Sequence, residues 1–214
     1  MIVYKLTDEN ACSLGNTHWT IGKTNTATGE GGLCGPGWLH CYEHPLLAVL
    51  HDPIHGVFGP TARMFRCEAG GKILKDDQTK MGCTELTPIE EIPLPSVTTT
   101  QRISYAIHCA QCVYHDQWWT AWADKWLSGE DRTFAAARTA EAATAEWSAR
   151  AAAARAAAAA ADGAEWSARW AAAAARWAAE AAEAAEAARW EEAAEAVAAA
   201  VNLIACAEKA MRIQ

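Results

Sequence analysis

Residues 145–170 read AEWSARAAAARAAAAAADGAEWSARW, two near-copies of one phrase joined through Asp162-Gly163. The phrase at 145–150 returns at 164–169, nineteen residues later. Alanine is the strongest helix former, and eighteen of the twenty-seven residues from 135 to 161 are alanine, so a helix over 132–161 is expected almost regardless of packing. Asp162-Gly163 breaks it. A last helix follows from 164 to about 211, with room for an interruption. A buried methyl contributes roughly 0.8 kcal/mol, so these helices must draw stability from propensity and close backbone approach. Small side chains permit that approach, and Trp166, Trp170 and Trp177 form a stripe able to fill the remaining gaps. Glu146 with Arg150, and Glu165 with Arg169, stand four apart in the favourable order for surface pairs of about 0.3–0.5 kcal/mol each. The rods are built to stack on one another or on a second copy of the chain.

Toward the N-terminus the pattern changes. Residues 98–128 place Ile103, Ala106, Ile107, Ala110 and Val113 on one helical stripe, then Trp118, Trp119, Trp122 and Trp126 on the next, and Gly129 ends the helix. Ser128 to Asp131 resembles a capping box, with Asp131 as alternative cap. IPLPSV, residues 92–97, is an extended linker because its two prolines forbid helix. Before it, strands are expected at 2–6, 37–42, 63–69 and 84–92, with turns at 8–10, 29–37, 70–71 and 76–77. HPLLAVLHDPIHG, residues 44–56, reads as an amphipathic helix opened by Pro45 and closed by Pro53. The expected fold is α+β: a small β-rich domain (1–96), Trp-rich linking helices (97–131), and an alanine-rich bundle or long helical hairpin (132–214).

Composition excludes several classes. The chain has 214 residues and a formal charge of −8. Residues 1–131 hold nine basic and fifteen acidic side chains, residues 132–214 nine and eleven. Neither part offers the basic face that nucleic acid requires. Arginines 150, 155, 169 and 176 recur inside the alanine runs, so no membrane span is expected. Residues 1–5 lack the apolar core of a secretory signal. The eight cysteines sit in a chain too large and helical for a disulfide scaffold and are read as reduced, in a cytoplasm.

The densest set of potential ligands is Cys34, His40, Cys41, His44, His51 and His55. The spacings His40-Cys41-x-x-His44 and His51-x-x-x-His55 suit zinc, but Pro53 interrupts the second and no CxxC knuckles support the first, so no metal and no cofactor is expected. Cys109-x-x-Cys112 lies on a helix, where small buried thiols need no metal. Glycines 29, 31, 32, 35 and 37 follow no strong strand and open no helix, which favours turns over a phosphate cradle. No Walker lysine, GxSxG elbow or HExxH is present, and Glu90-Glu91 reads as a solvated strand end. The remaining constellation is Arg150, Arg155, Arg169 and Arg176 beside Trp166, Trp170 and Trp177: indoles can stack a nucleobase, and guanidinium groups can hold a phosphate. His40 completes the set of candidate ligand-binding residues.

Two stretches resemble known families. GGLCGPGWLHCYEHPLLAVL followed by ARMFRCEAGGKILKDDQTKMGCTELTPIEEI resembles an uncharacterised small domain of phage and actinobacterial hypothetical proteins, carried here by Cys34, Gly37, Leu39, His40 and Cys41, then 65–71 and 75–80. QRISYAIHCAQ with WLSGEDRTFAAARTAEAA resembles alanine-tailed helical domains of immunity proteins and phage hypotheticals. GWLHCYEHPLLAVL with ARMFRCEAG is similar in rhythm to ADP-ribosyltransferase-like folds, but has His40-Cys41-Tyr42 where that family has a serine, and no catalytic Glu motif. The resemblances imply a non-catalytic phage or mobile-element protein, with an anti-defence or immunity role, that binds a protein partner or a nucleotide-like small molecule. The alternatives are an ADP-ribosyltransferase-like enzyme in residues 1–96 and a structural homo-oligomer.

Overall fold

The computed structural model describes residues 1–55, 58–75, 80–142, 156–158, 160, 169, 171–178 and 201–213. The chain is α+β and divides into two compact units, Met1–Ser96 and Val97–Gln214.

The first unit is organised by one long hairpin, β6 (Arg63–Lys75) and β7 (Met81–Ile92), with β1 (Ile2–Thr7) antiparallel to β6. On the other edge of β7 lie β4 (Asn25–Thr26) and β5 (Leu39–Cys41); β2 (Cys12–Ser13) and β3 (Thr17–His18) form a separate ribbon. Alternation decides what faces inward: Val3 in β1, Phe65, Cys67 and Ala69 in β6, and Met81, Cys83 and Leu86 in β7 enclose Trp19 and Cys41. Tyr42, just after β5, exchanges two backbone bonds with Tyr4 in β1 (2.8 and 2.9 Å). The order β1-β6-β7-β5 therefore returns to β1, and the open edge of β1 is partly covered.

The curvature this needs comes from two register shifts in the hairpin, at Arg66/Cys67 and Gly70/Ile73. Gly70-Gly71, expected as a turn, is instead a bulge inside a strand that runs on to Lys75. Gly71 sits at φ +67°, and a Cβ there would lie 2.1 Å from Thr84 Oγ1. Helix α1 (Pro45–His55) also corrects an expectation, since it continues through Pro53. A proline costs the helix one N–H bond and a clash with the carbonyl four residues back, but only two residues of the helix follow it here, so little of the ladder is disturbed. The strand expected at 37–42 shortens to β5, whose carbonyls and amides pair with only three residues of β7.

In the second unit, α2 (Thr99–Gln111) opens with a reciprocal capping box: Gln101 N–H donates to Thr98 Oγ1 (3.2 Å) and Thr98 N–H to Gln101 Oε1 (3.0 Å). Ile103, Ala106, Ile107 and Ala110 are buried as the stripe requires. The helix stops before Asp116, which caps α3 (Gln117–Ser128) by accepting from Trp119 N–H at 2.9 Å. Trp119, Trp122 and Trp126 are buried, whereas Trp118 is 48% exposed, about 100° round the helix from its neighbour. Gly129, at φ +83°, ends α3. Helix α4 (Phe134–Ala142) starts later than expected. Thr133 Oγ1 accepts from Ala136 N–H (3.3 Å), while Asp131 accepts from both Thr133 N–H (3.0 Å) and Oγ1 (2.7 Å), so Asp131 orients the cap instead of forming it.

The remainder of the helix expected to span 132–161, and the break at Asp162-Gly163, lie largely outside the described residues. Alanines 156–158, 171, 172, 174, 175 and 178 are helical and buried. The last expected helix is interrupted: Val201 and Asn202 are non-helical, and Asn202 Oδ1 caps a new C-terminal helix, Leu203–Ala210, through Ala205 N–H (2.9 Å). This helix packs antiparallel to α2, because Gln101 at the start of α2 donates to the carbonyls of Met211 (3.3 Å) and Ile213 (3.5 Å). Among the described residues, no helix is long and apolar enough to cross a membrane.

Candidate functional site

Two places hold the side chains singled out in the sequence. In the first unit the loop 29–37 is folded by its own backbone, with Gly29 N–H donating to Gly37 C=O (2.8 Å) and Gly35 N–H to Gly32 C=O (2.8 Å). The φ values of Gly29 and Gly31, +73° and +76°, explain the glycines as turn residues. Side chains of the following residues clamp it: Trp38 Nε1 donates to Gly31 C=O (3.0 Å), and His40 donates to Leu33 C=O. A carbonyl only accepts, so Nε2 carries the proton. Partial burial, helped by the charges of Lys80 and Lys5, holds the His40 imidazole below its ordinary pKa against the opposing pull of that carbonyl. The imidazole is therefore neutral at pH 7, a positioned donor. At the exposed tip, Lys80 Nζ donates to Cys34 Sγ at 3.1 Å.

Beneath His40 lies a group that sequence reasoning missed. Lys5 is only 8% exposed and donates from Nζ to His40 C=O at 2.9 Å, with the Trp19 ring centroid 5.0 Å away. Burial pulls its pKa down to about 8, opposed by the neighbouring thiols of Cys41, Cys67 and Cys83. Burial pushes the Cys67 thiol up to about 12. Cys41 is pushed up by its hydrogen bond with Cys83, then by burial, and Cys83 is lowered by the same bond. All three thiols are fully buried, so the cluster is closed to any substrate; it fixes the carbonyl and hence the backbone of β5. The strand alternation places Lys5 inward beside Val3, a signal that a lysine's reputation for exposure obscures.

The other histidines of the candidate cluster take structural positions. His44 Nδ1 accepts from Leu46 N–H (3.2 Å) at the start of α1. His51 is buried in the middle of that helix, and burial pulls it down to about 4. The side chain of His55 lies outside the described residues. Among the described residues no group of three or more His, Cys, Asp or Glu is placed to hold a metal ion.

In the second unit, Arg169 and Arg176 are both exposed and helical, while Trp177 is half-buried. The two arginines stand seven positions apart in sequence. The flanking alanines at 171, 172, 174, 175 and 178 are buried, which turns the arginine face outward. Arg150, Arg155, Trp166 and Trp170 lie outside the described residues.

Residues 1–100 match a family described as a domain of unknown function (DUF7666). No curated protein and no solved structure matches the chain.

Proposed function

We propose, taking residues 1–100 as a domain of that family, that the chain is a non-catalytic binding protein of phage or mobile-element type. Its helical unit engages an anionic partner: a nucleotide-type small ligand, or the acidic face of another protein, in an anti-defence or immunity role. The observation that carries this reading is the outward pair Arg169 and Arg176 on a helix whose alanine faces are buried. Exposed guanidinium groups suit phosphate or carboxylate oxygens, and a rigid alanine scaffold limits the entropy lost on binding. The N-terminal unit supports the same reading by what its polar groups do. His40 and Lys5 each hold a backbone carbonyl, so both serve to fix the glycine loop and β5.

Native mass spectrometry of the full chain purified from its natural host tests the proposal. A retained anionic small molecule or a second protein on the 23.0 kDa chain supports it. A bare monomer, or a mass made only of multiples of the chain, overturns it, the latter in favour of the structural homo-oligomer.

A further inference from the structure

Three thiols meet where α2 ends against the C-terminal helix. Cys112, the residue that closes α2, is exposed and donates to His108 C=O at 3.3 Å; its Sγ lies 3.9 Å from Cys206 Sγ, across 94 positions of sequence. Cys206 belongs to the buried stripe Leu203, Cys206, Ala207 and Ala210 that packs on α2. Cys109, one turn before Cys112, is hydrogen-bonded to Cys206 from the other side. At the opposite end the two helices are fastened by Gln101 to the carbonyls of Met211 and Ile213. At the thiol end the helices are tied by the weak sulfur contacts of Cys206.

We propose that Cys112 and Cys206 form a reversible disulfide by exchange with a small-molecule disulfide, a modification site that bolts the C-terminal helix to α2. A bond of about 2.05 Å requires the two sulfurs to close the present gap by less than 2 Å, within reach of a side-chain rotation at the exposed end of a helix. Cys112, whose thiol the hydrogen bond with Cys206 and burial hold above its ordinary range, gives up its proton and attacks one sulfur of the small disulfide, forming a mixed disulfide and releasing one small thiol. Cys206 then gives up its proton and attacks the Cys112 sulfur, expelling the second small thiol. Two protein sulfurs are oxidised, one small disulfide is reduced, and the two thiol protons leave on the released thiols. The ring so closed contains α3, α4 and the alanine-rich segment, so oxidation restrains the region assigned to binding. The inference does not depend on what is bound.

The full chain is incubated with oxidised glutathione or with dithiothreitol and mapped by tryptic mass spectrometry without reduction. The expected result is a loss of two hydrogens and a linked pair of peptides carrying Cys112 and Cys206, in the wild type and in Cys109→Ser, but absent from Cys112→Ser and Cys206→Ala. The oxidised wild type should also melt several degrees above the reduced protein, as a long closed ring requires. Three outcomes overturn the proposal: no linked peptide in the wild type, a glutathione adduct on Cys112 that never resolves, or a link that survives Cys112→Ser. Cys109 and Cys112 share the tryptic peptide 103–125, so fragmentation of the linked pair assigns the bond in the wild type even if a variant fails to fold, and a bond assigned to Cys109 also overturns the proposal.

Discussion

Replacing Lys5 with methionine should make the first unit more stable at pH 7 and no more stable at pH 9.5. Burial lowers the Lys5 pKa from 10.5 to about 8, and a pKa that differs by one between the folded and unfolded chain corresponds to about 1.36 kcal/mol. The fold therefore carries a cost of about 3 kcal/mol for a protonated Lys5. The sign is the reverse of a salt-bridged lysine: between pH 8 and 10.5 the unfolded chain holds a proton that the folded chain has released, so stability rises with pH. The cost is complete below pH 8 and has fallen to about 1 kcal/mol by pH 9.5. Methionine keeps the methylene packing against Trp19 but leaves His40 C=O without its donor, a loss of about 1–2 kcal/mol at any pH. The variant should thus gain about 1–2 kcal/mol at pH 7 and nearly nothing at pH 9.5. Urea unfolding of fluorotryptophan-labelled protein, read on the Trp19 resonance under reducing conditions, follows this unit selectively. A stability difference that stays constant between the two pH values would refute the argument.

Two further substitutions probe how the site is built. Gly71→Ala must place a Cβ 2.1 Å from Thr84 Oγ1 at a left-handed φ, and should cost about 1–3 kcal/mol in the same unfolding measurement; an unchanged midpoint would mean the bulge is not a fixed feature of the hairpin. His40→Ala removes the donor that holds Leu33 C=O, so limited proteolysis should cut within 29–37 faster than in the wild type. Neither protein should transfer label from NAD to lysate proteins. Transfer by the wild type that His40→Ala abolishes would restore the enzyme reading.

The α+β division was legible because its signals are local and strong: the two prolines of residues 92–97, the change of period at Thr98, the cap glycine at 129. The hairpin strands were legible in position but not in length. Gly70-Gly71 carries the composition of a turn, and only the pairing of β6 with β7 across it reveals a bulge. The ribbon β2-β3 and strand β4, of two residues each, are too short for any alternation to register. Asp131 was an alternative cap in the sequence, yet the cap itself fell to Thr133, whose hydroxyl Asp131 holds in place. Of the site, His40 was marked by its place beside cysteines and glycines, while its partner Lys5 is thirty-five positions away and is brought to it by the sheet. The meeting of Cys112 with Cys206 is equally invisible along the chain, because it depends on the antiparallel return of the last helix.

The proposed binding mode turns on the outward arginine pair. Native mass spectrometry of host-purified Arg169→Glu/Arg176→Glu, compared with the wild type, tests it most directly. Circular dichroism should show unchanged helicity, since both side chains are exposed, and the retained partner or ligand should fall at least tenfold, roughly 1.4 kcal/mol or more. Full retention by a folded double variant would contradict the proposed mode of binding.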